Sequence, residues 1–582
     1  GSRRPDKECK TATVTWCLCS SSISRWRGNH YAAFDHRSIP CEAVERERRG
    51  YTGCFSPWHR HRVIPIRSSV IATEPLQVGL ISALLPARCN IVDTRLSAKL
   101  NLLDDRLVIS PRVMVEHVFE ANHTYADYSA DNLIQYRLFN LNEPGSDLWQ
   151  LYSLTAKYKT SLGELTSDTS QFVRRSTDSE DESEAFQAIF GTPATPALIH
   201  QRLDDHDFSQ ELRFTSEFSG PLQVTAGAFY QRSAELNRYP FTPDGIYIDD
   251  VFDARVNTVV TEGAVFSEMN YALTAKLKLI AGARWFDNTV KSDGSEGGVA
   301  VMPGIFAGKQ HQDGVNPKFG IQYQFTADDQ VYATAAKGFR IGGINIFAAS
   351  LCAADLEALH QSANRASTYA SDSLWSYEIG AKTTWLDHRL TVNAAIFDIE
   401  WSGIQQPVAL PDCGYSILVN NGAARSRGGE LEIQAAVAAA TRISFGTGYT
   451  DARITDSGAS DIVPVGTRIQ QVPKWTSHAA LDYALDSLPL SPFFHGEYDF
   501  VGASFSANNS VTGLYPRPEY SLVNLRAGCH LDAWQLTVFA DNVFDKRADF
   551  SDSVDLGIGL PGRPRVSINR PRTVGLDARL RF

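Results

Sequence analysis

Strict period-two alternation constrains this chain more than any other feature, and its last ten residues show it most plainly. From Thr573 to Phe582, the apolar Val574, Leu576, Ala578, Leu580 and Phe582 trade places with Gly575, Asp577, Arg579 and Arg581. Successive Cβ atoms of a strand point to opposite sides, so such a segment has one apolar face and one polar face. A soluble sandwich would turn the apolar face to a core. An outer-membrane barrel would turn it to lipid and line its lumen with the polar face.

One strand does not separate these folds, but recurrence favours the barrel. Residues 430–437 set Leu431, Ile433, Ala435 and Val437 against Glu430, Glu432 and Gln434, and 442–450 set Ile443, Phe445 and Tyr449 against Ser444, Gly446 and Gly448. The same arrangement predicts strands at 211–218, 222–230, 277–285, 319–325, 377–385, 477–485, 494–502 and 534–540. In 390–401, Leu390 and Val392 are out of phase with Phe397, Ile399 and Trp401, which predicts a β-bulge near Ala394.

Connection lengths alternate too. Tight turns are expected at Asp104-Asp105, Ser219-Gly220-Pro221, Ala327-Asp328-Asp329, Asp387-His388 and Asp532-Ala533, with loops of roughly 17 to 35 residues between the hairpins. Short turns on one side and long loops on the other describe an up-and-down barrel whose long loops face outside. Nine hairpins between Arg95 and Val543 plus the final strand give nineteen strands. Single-chain bacterial barrels close with even numbers, so further strands are expected upstream.

Composition marks a boundary. Residues 1–90 hold 14 basic and 7 acidic residues and six of the nine cysteines, whereas 91–582 hold 41 basic and 59 acidic. No run of 18 apolar residues exists, which excludes a helical span but not a barrel. The chain opens on Gly1-Ser2-Arg3-Arg4 without an apolar secretory core, so its start reads as artificial, processed or truncated.

Several motifs follow one another in a telling order: Phe208-Ser209-Gln210-Glu211-Leu212-Arg213, Lys337-Gly338-Phe339-Arg340-Ile341-Gly342-Gly343-Ile344-Asn345, Trp375-Ser376-Tyr377-Glu378-Ile379-Gly380 with Phe397-Asp398-Ile399-Glu400-Trp401, Gly429-Glu430-Leu431-Glu432, Val472-Pro473-Lys474-Trp475, and Asn542-Val543-Phe544-Asp545-Lys546-Arg547. Together with the terminal Phe582 they resemble TonB-dependent outer-membrane receptors over about 91–582. The resemblance implies an all-β, transmembrane, antiparallel barrel of about 22 strands in the outer membrane of a Gram-negative bacterium. It also implies a plug and a TonB-binding box near the N-terminus.

Residues 1–90 do not show a plug pattern, and clusters such as Trp58-His59-Arg60-His61-Arg62 fit none. They read as an atypical segment, translated out of frame or fused, or as a divergent module, in place of the plug. The implied function is TonB-coupled uptake of a scarce ligand, a ferric siderophore by analogy, with TonB a partner only if a plug and box exist. A passive porin-like barrel and a non-functional receptor fragment remain open. The resemblance further implies that the terminal strand, through Phe582, Leu580 and Ala578, is read by the barrel-assembly machinery.

Aromatic and guanidinium groups suit a rim that stacks on planar ligands or holds anionic chelates, which selects Arg340, Trp401 and Tyr415. Trp385, Trp534 and Tyr483 fit an interfacial aromatic girdle. Cys17, Cys19, His59 and His61 depart from zinc spacing, and no enzyme constellation, cofactor site or resident metal site is read. Cys352 and Cys413 both fall in long loops and are a candidate disulfide. The acidic run 178–184 reads as solvated loop. Glu430, Glu432, His478 and Asp482 read as lumen polarity. The acidic barrel argues against a nucleic-acid partner.

Overall fold

The computed structural model describes residues 11–17, 77–84 and 89–581, apart from short internal stretches, the longest being 128–137, 506–515 and 554–564. Cys19, His59, His61 and Phe582, and most of 1–90, lie outside the described residues. One antiparallel sheet of 22 strands dominates. From Cys89–Ser97 to Thr573–Arg581 its strands pair in chain order, each with the next, as an up-and-down barrel requires. The short Leu100–Leu102 continues Cys89–Ser97 along the same partner, Leu107–Glu120. With these two counted as one position, the stretch from Cys89 onward supplies nineteen, the number that alternation predicts. Gln77–Leu84 adds a strand beside Cys89–Ser97, and Thr11–Cys17 adds one beside the last strand, with Ala12 opposite Leu580 and Val14 opposite Ala578. No ladder among the described residues joins these two additions to each other.

Aspartate and histidine hold the tight turns. Asp104, Asp105, Asp387, His388 and Asp532 have φ between 51° and 62°, a region that Asp tolerates better than most residues. Trp385, Trp534 and Tyr483 stand exposed near this end of the wall, as a girdle requires. The outward face is apolar: Ile379 and Ile396, directly opposite each other, are 59% and 63% exposed. No helix among the described residues is long and apolar enough to cross a membrane.

The bulge expected near Ala394 does not form. Leu390–Ser402 pairs with both neighbours without a register shift. Leu390, Val392, Ala394 and Ile396 therefore face out, and Phe397, Ile399 and Trp401 face in. An inward aromatic is accommodated by a glycine opposite: Gly428 is the register partner of Phe397, and a Cβ there would lie 2.4 Å from the ring. Gly380 makes the same room for Tyr332. Side-chain size alternates across the ladder, so no extra residue is needed.

Several strands outrun the sequence expectation. Phe252–Ala272, Leu277–Gly297 and Gly304–Gln324 have 21 residues each, roughly 70 Å of chain at about 3.3 Å per residue. The apolar band of such a barrel is only about 25 Å tall. Much of what reads as loop is thus strand standing clear of the membrane. The acidic run 178–184 is likewise not a solvated loop. It ends Gly163–Asp181 and starts the helix Ser183–Phe190, with Asp181, Glu182 and Ser183 buried. Asp181 accepts from the Ser183 amide at 3.1 Å and donates its own amide to Glu143 at 2.9 Å. These bonds satisfy backbone donors at a strand-to-helix corner, which is why carboxylates are needed there.

Candidate functional site

Two neighbouring long connections, 341–371 and 403–422, fold together at the end of the wall opposite the tight turns. The first leaves the strand Gln330–Arg340 through Gly342, where a Cβ would lie 2.4 Å from the Tyr369 carbonyl oxygen, so only glycine fits. It then forms two short helices, Ala353–Ala358 and Ala363–Ala366. The second is a hairpin of Gln405–Leu410 with Tyr415–Asn420. Phe347, Cys352, Leu356 and Ala366 from the first share a buried cluster with Val408, Leu410 and Ile417 from the second. The module thus has its own apolar core, separate from the lipid-facing wall.

Covalent and polar ties hold the two connections in one arrangement. Cys352 and Cys413 form the expected disulfide, with Cα atoms 5.0 Å apart, and Asp355 accepts from the Cys413 amide at 3.0 Å. Asn345 donates to the Ala366 and Leu418 carbonyls at 2.8 and 2.7 Å and accepts from the Leu418 amide at 2.8 Å. Asn420 spans the same gap, accepting from the Ala370 amide at 2.6 Å and donating to the Gly403 carbonyl at 2.9 Å.

Asp372 is the node where the module meets the wall. Its carboxylate is buried and accepts from the Arg340 amide at 3.2 Å, from Arg340 Nε at 2.9 Å and Nη2, and from the Gln405 amide at 3.1 Å. The Arg340 guanidinium also lies 4.5 Å from the ring centre of Trp401 and donates to the Gln405 carbonyl at 3.2 Å. Two residues selected from sequence, Arg340 and Trp401, are therefore brought into contact. Their contact serves the junction, because the guanidinium is engaged by Asp372 and Gln405. The third, Tyr415, sits apart on the hairpin, and its hydroxyl donates to Glu296 at 2.8 Å. Burial, reinforced by that hydrogen bond, holds the Tyr415 phenol far above its ordinary pKa. It is a neutral donor at physiological pH.

The module also covers part of the inner wall. Ile344 packs where a Gly308 Cβ would stand, and Phe286, Asn288, Val290 and Ser292 on the inner face of Leu277–Gly297 are buried. Asn288 and Gln312 face each other across the ladder, and neither side-chain amide has a hydrogen-bond partner among the described residues. The Trp401 indole N–H has none either. Buried amides are rarely left unpaired, and these are unsatisfied polar groups of the inner wall among the described residues. Sequence reasoning missed Asn288, Gln312, Asn345 and Asp372. Only the polar residue Asn345, inside the 337–345 motif, carried any signal.

Farther round the wall, lumen polarity resolves into pairs. His478 bonds Asp499 at 2.7 Å, and His495 bonds Asp482 at 2.7 Å and Glu497 at 2.9 Å. Glu432 accepts from Asn393 at 3.4 Å. Among the described residues no group of three or more His, Cys, Asp and Glu could hold a metal ion.

Comparison with known proteins places this geometry. Residues 111–543 match the family described as "TonB dependent receptor-like, beta-barrel". A pesticin receptor from Yersinia enterocolitica is 24% identical over 327 residues, covering 55% of this chain and 43% of the relative. A metal-pseudopaline receptor from Pseudomonas aeruginosa is 26% identical over 264 residues, 44% of this chain and 33% of the relative. This chain thus spans less than half the length of those relatives. Among solved structures, the ferric yersiniabactin uptake receptor from Yersinia pestis superposes with a TM-score of 0.71 at 16% identity, covering 87% of this chain and 74% of the other. At that identity the likeness concerns the fold.

Proposed function

We propose that this chain, which belongs to the TonB-dependent receptor-like β-barrel family, is the barrel of an outer-membrane receptor for a metal chelate, with a ferric siderophore as the leading ligand. The observation that carries the reading is the stapled module. Two long connections joined by Cys352–Cys413 share a core at the barrel mouth, and below them inward amides have unused hydrogen-bonding capacity. A rigid mouth with a few unpaired donors is suited to holding a bulky polar ligand. The similarity to a ferric yersiniabactin receptor and a metal-pseudopaline receptor supports a chelated metal as the ligand class.

Asn288, Gln312 and the Trp401 indole are the proposed ligand contacts, with Tyr415 and Arg340 positioning the module around them. Energy coupling requires an element that contacts the ligand differently in open and closed states. In this reading that element is a plug engaged by TonB, and coupled uptake is proposed for the protein in which the barrel carries one. Correct insertion depends on the terminal strand, with Leu580 and Ala578 facing their ladder partners Trp534 and Leu536 and Phe582 at its end; deleting Phe582 should lower outer-membrane yield.

The test is uptake of radio-iron as a panel of ferric siderophores by cells producing the protein, with and without TonB. Saturable, TonB-dependent uptake that falls in an Asn288→Leu, Gln312→Leu variant supports the reading. Flux that ignores TonB would make the barrel a passive porin, and no uptake of any chelate would remove the ligand class.

A further inference from the structure

A groove of about 770 Å³ opens on the wall along Gly304–Gln324, Gln330–Arg340 and Asp372–Trp385. The ladder shows that it lies on the outward side. Ile321, Ala333, Ile379 and Ile396 form one row across the strands, and Phe319, Ala335, Tyr377 and Asp398 form the row above, where Arg427 follows. Phe319 and Ile321 on one flank, and Ile379 and Tyr377 on the other, are 42% to 59% exposed. Ala333 and Ala335 between them rise only one methyl above the backbone. The flanking rows are two strand spacings, roughly 9.5 Å, apart. The slot is too narrow for a helix, whose diameter with side chains is about 10–12 Å, but it suits an alkyl chain.

The groove ends in charge. Arg425 holds Asp398 through Nε at 2.8 Å and through Nη2, and reaches Glu400 at 3.6 Å. Arg427 approaches the same Asp398 through Nε at 3.3 Å, and its side chain is 57% exposed. On the next strand Asp451 and Arg453 satisfy each other at 2.9 Å. In the row above the groove, Lys337 stands opposite Trp375 and makes no ion pair among the described residues. Asp398 lies eight residues from Leu390, which follows the tight turn. That distance is roughly 26 Å along the strand, or about 20 Å across the membrane at a 40° tilt, near the edge of an apolar band about 25 Å tall. The exposed Arg427 guanidinium is thus at headgroup depth, and a guanidinium fork matches a phosphate bidentately.

We propose that this groove is a specific lipid site, with one acyl chain lying over Ala333 and Ala335 and the lipid's phosphate held by Arg427. The site lies on the outer face of the wall and is independent of the transported ligand. To test it, the folded full chain in detergent is titrated with dimyristoylphosphatidic acid and with dimyristoylglycerol, which lacks the phosphate, and adducts are counted by native mass spectrometry. Wild type should prefer the phosphatidic acid by about tenfold, the worth of a charge-assisted hydrogen bond. Ala333→Leu with Ala335→Leu, which fills the slot, should lose both lipids by about tenfold or more. Arg427→Gln should keep the diacyl chain and lose the preference, since Arg425 still holds Asp398. Heat-modifiable migration establishes that each variant is folded. Unchanged binding by the filled variant, or equal binding of the two lipids by wild type, overturns the proposal. Displacement of phosphatidic acid by excess inorganic phosphate also overturns it, since the site would then hold free phosphate.

Discussion

The wall and the mouth module are built by opposite rules. In the wall, each residue's environment follows from its parity along the strand, and stability is spread over hundreds of similar backbone bonds and cross-strand pairs. In the module, environment follows from a few contacts between distant segments: one disulfide, the Asn345 and Asn420 amides, and the Asp372 carboxylate. A fold of the first kind tolerates many single changes. One of the second kind has single points whose loss releases a whole substructure, which is useful at a mouth that must admit and hold a ligand.

The largest expected effect separates the two regions directly. Cys352 and Cys413 are 61 residues apart, and closing such a loop is worth about 4 kcal/mol by chain entropy. Cys352→Ser with Cys413→Ser should abolish amide protection at Leu418 and Gln405 in hydrogen exchange while heat-modifiable migration of the barrel stays unchanged. If the wall loosened as well, the two regions would be one cooperative unit.

Next comes the wall itself. Ile379→Arg places a charge on the lipid face and should cost about 2–4 kcal/mol in urea unfolding from vesicles. Thr334→Arg, on the inward face of the neighbouring strand, should stay within about 0.5 kcal/mol. Equal costs would contradict the outward and inward assignment of these rows. At the junction, Asp372→Ala removes a charged acceptor of three groups and should cost about 2 kcal/mol. Exchange of the Gln405 amide should quicken, with partial rescue by Asp372→Asn.

The smallest effect is one of pH. Beyond the strand Trp534–Asp541, Arg547 and the Arg572 amide hold Asp545 below its ordinary value of 3.8. A carboxylate with a depressed folded pKa contributes stability that is full above the ordinary value and is lost as pH falls through the depressed one. Protection of the Arg572 amide should therefore survive at pH 5 and decline only in stronger acid. In Asp545→Asn that dependence should vanish, while the disulfide-held module, whose ties are mostly uncharged, should show no matching change.

Period two is a local signal, so nineteen strands and their outward faces were legible from Leu576 and Leu580 at one end to the 430–437 strand in the middle. The tight turns were legible for the same reason, since a left-handed Asp or His leaves its mark at one position. The expectation failed where an inward aromatic broke the pattern: Phe397 reads as a phase error until Gly428 is seen opposite it, 31 positions away. It failed again at 178–184, where charge reads as solvent exposure although Asp181 bonds Glu143 across 38 residues. The long connections gave two cysteines and Tyr415, and the strand ends beside them gave Arg340 and Trp401. They gave no hint that Arg340 and Trp401 would meet over Asp372, or that Asn288 and Gln312 would face inward unpaired.

By itself the sequence determined the barrel, because each residue's side of the wall depends only on its parity, and a strand's pattern is complete within about ten residues. Tertiary structure alone decided what the mouth is. Its bonds join positions as far apart as Asn345 and Leu418, 73 residues along the chain, and its buried amides acquire their meaning only from what covers them. The lipid-facing groove belongs to the same class: two alanines are unremarkable in any strand, and become a slot only when the register sets Phe319, Ile321, Tyr377 and Ile379 on either side.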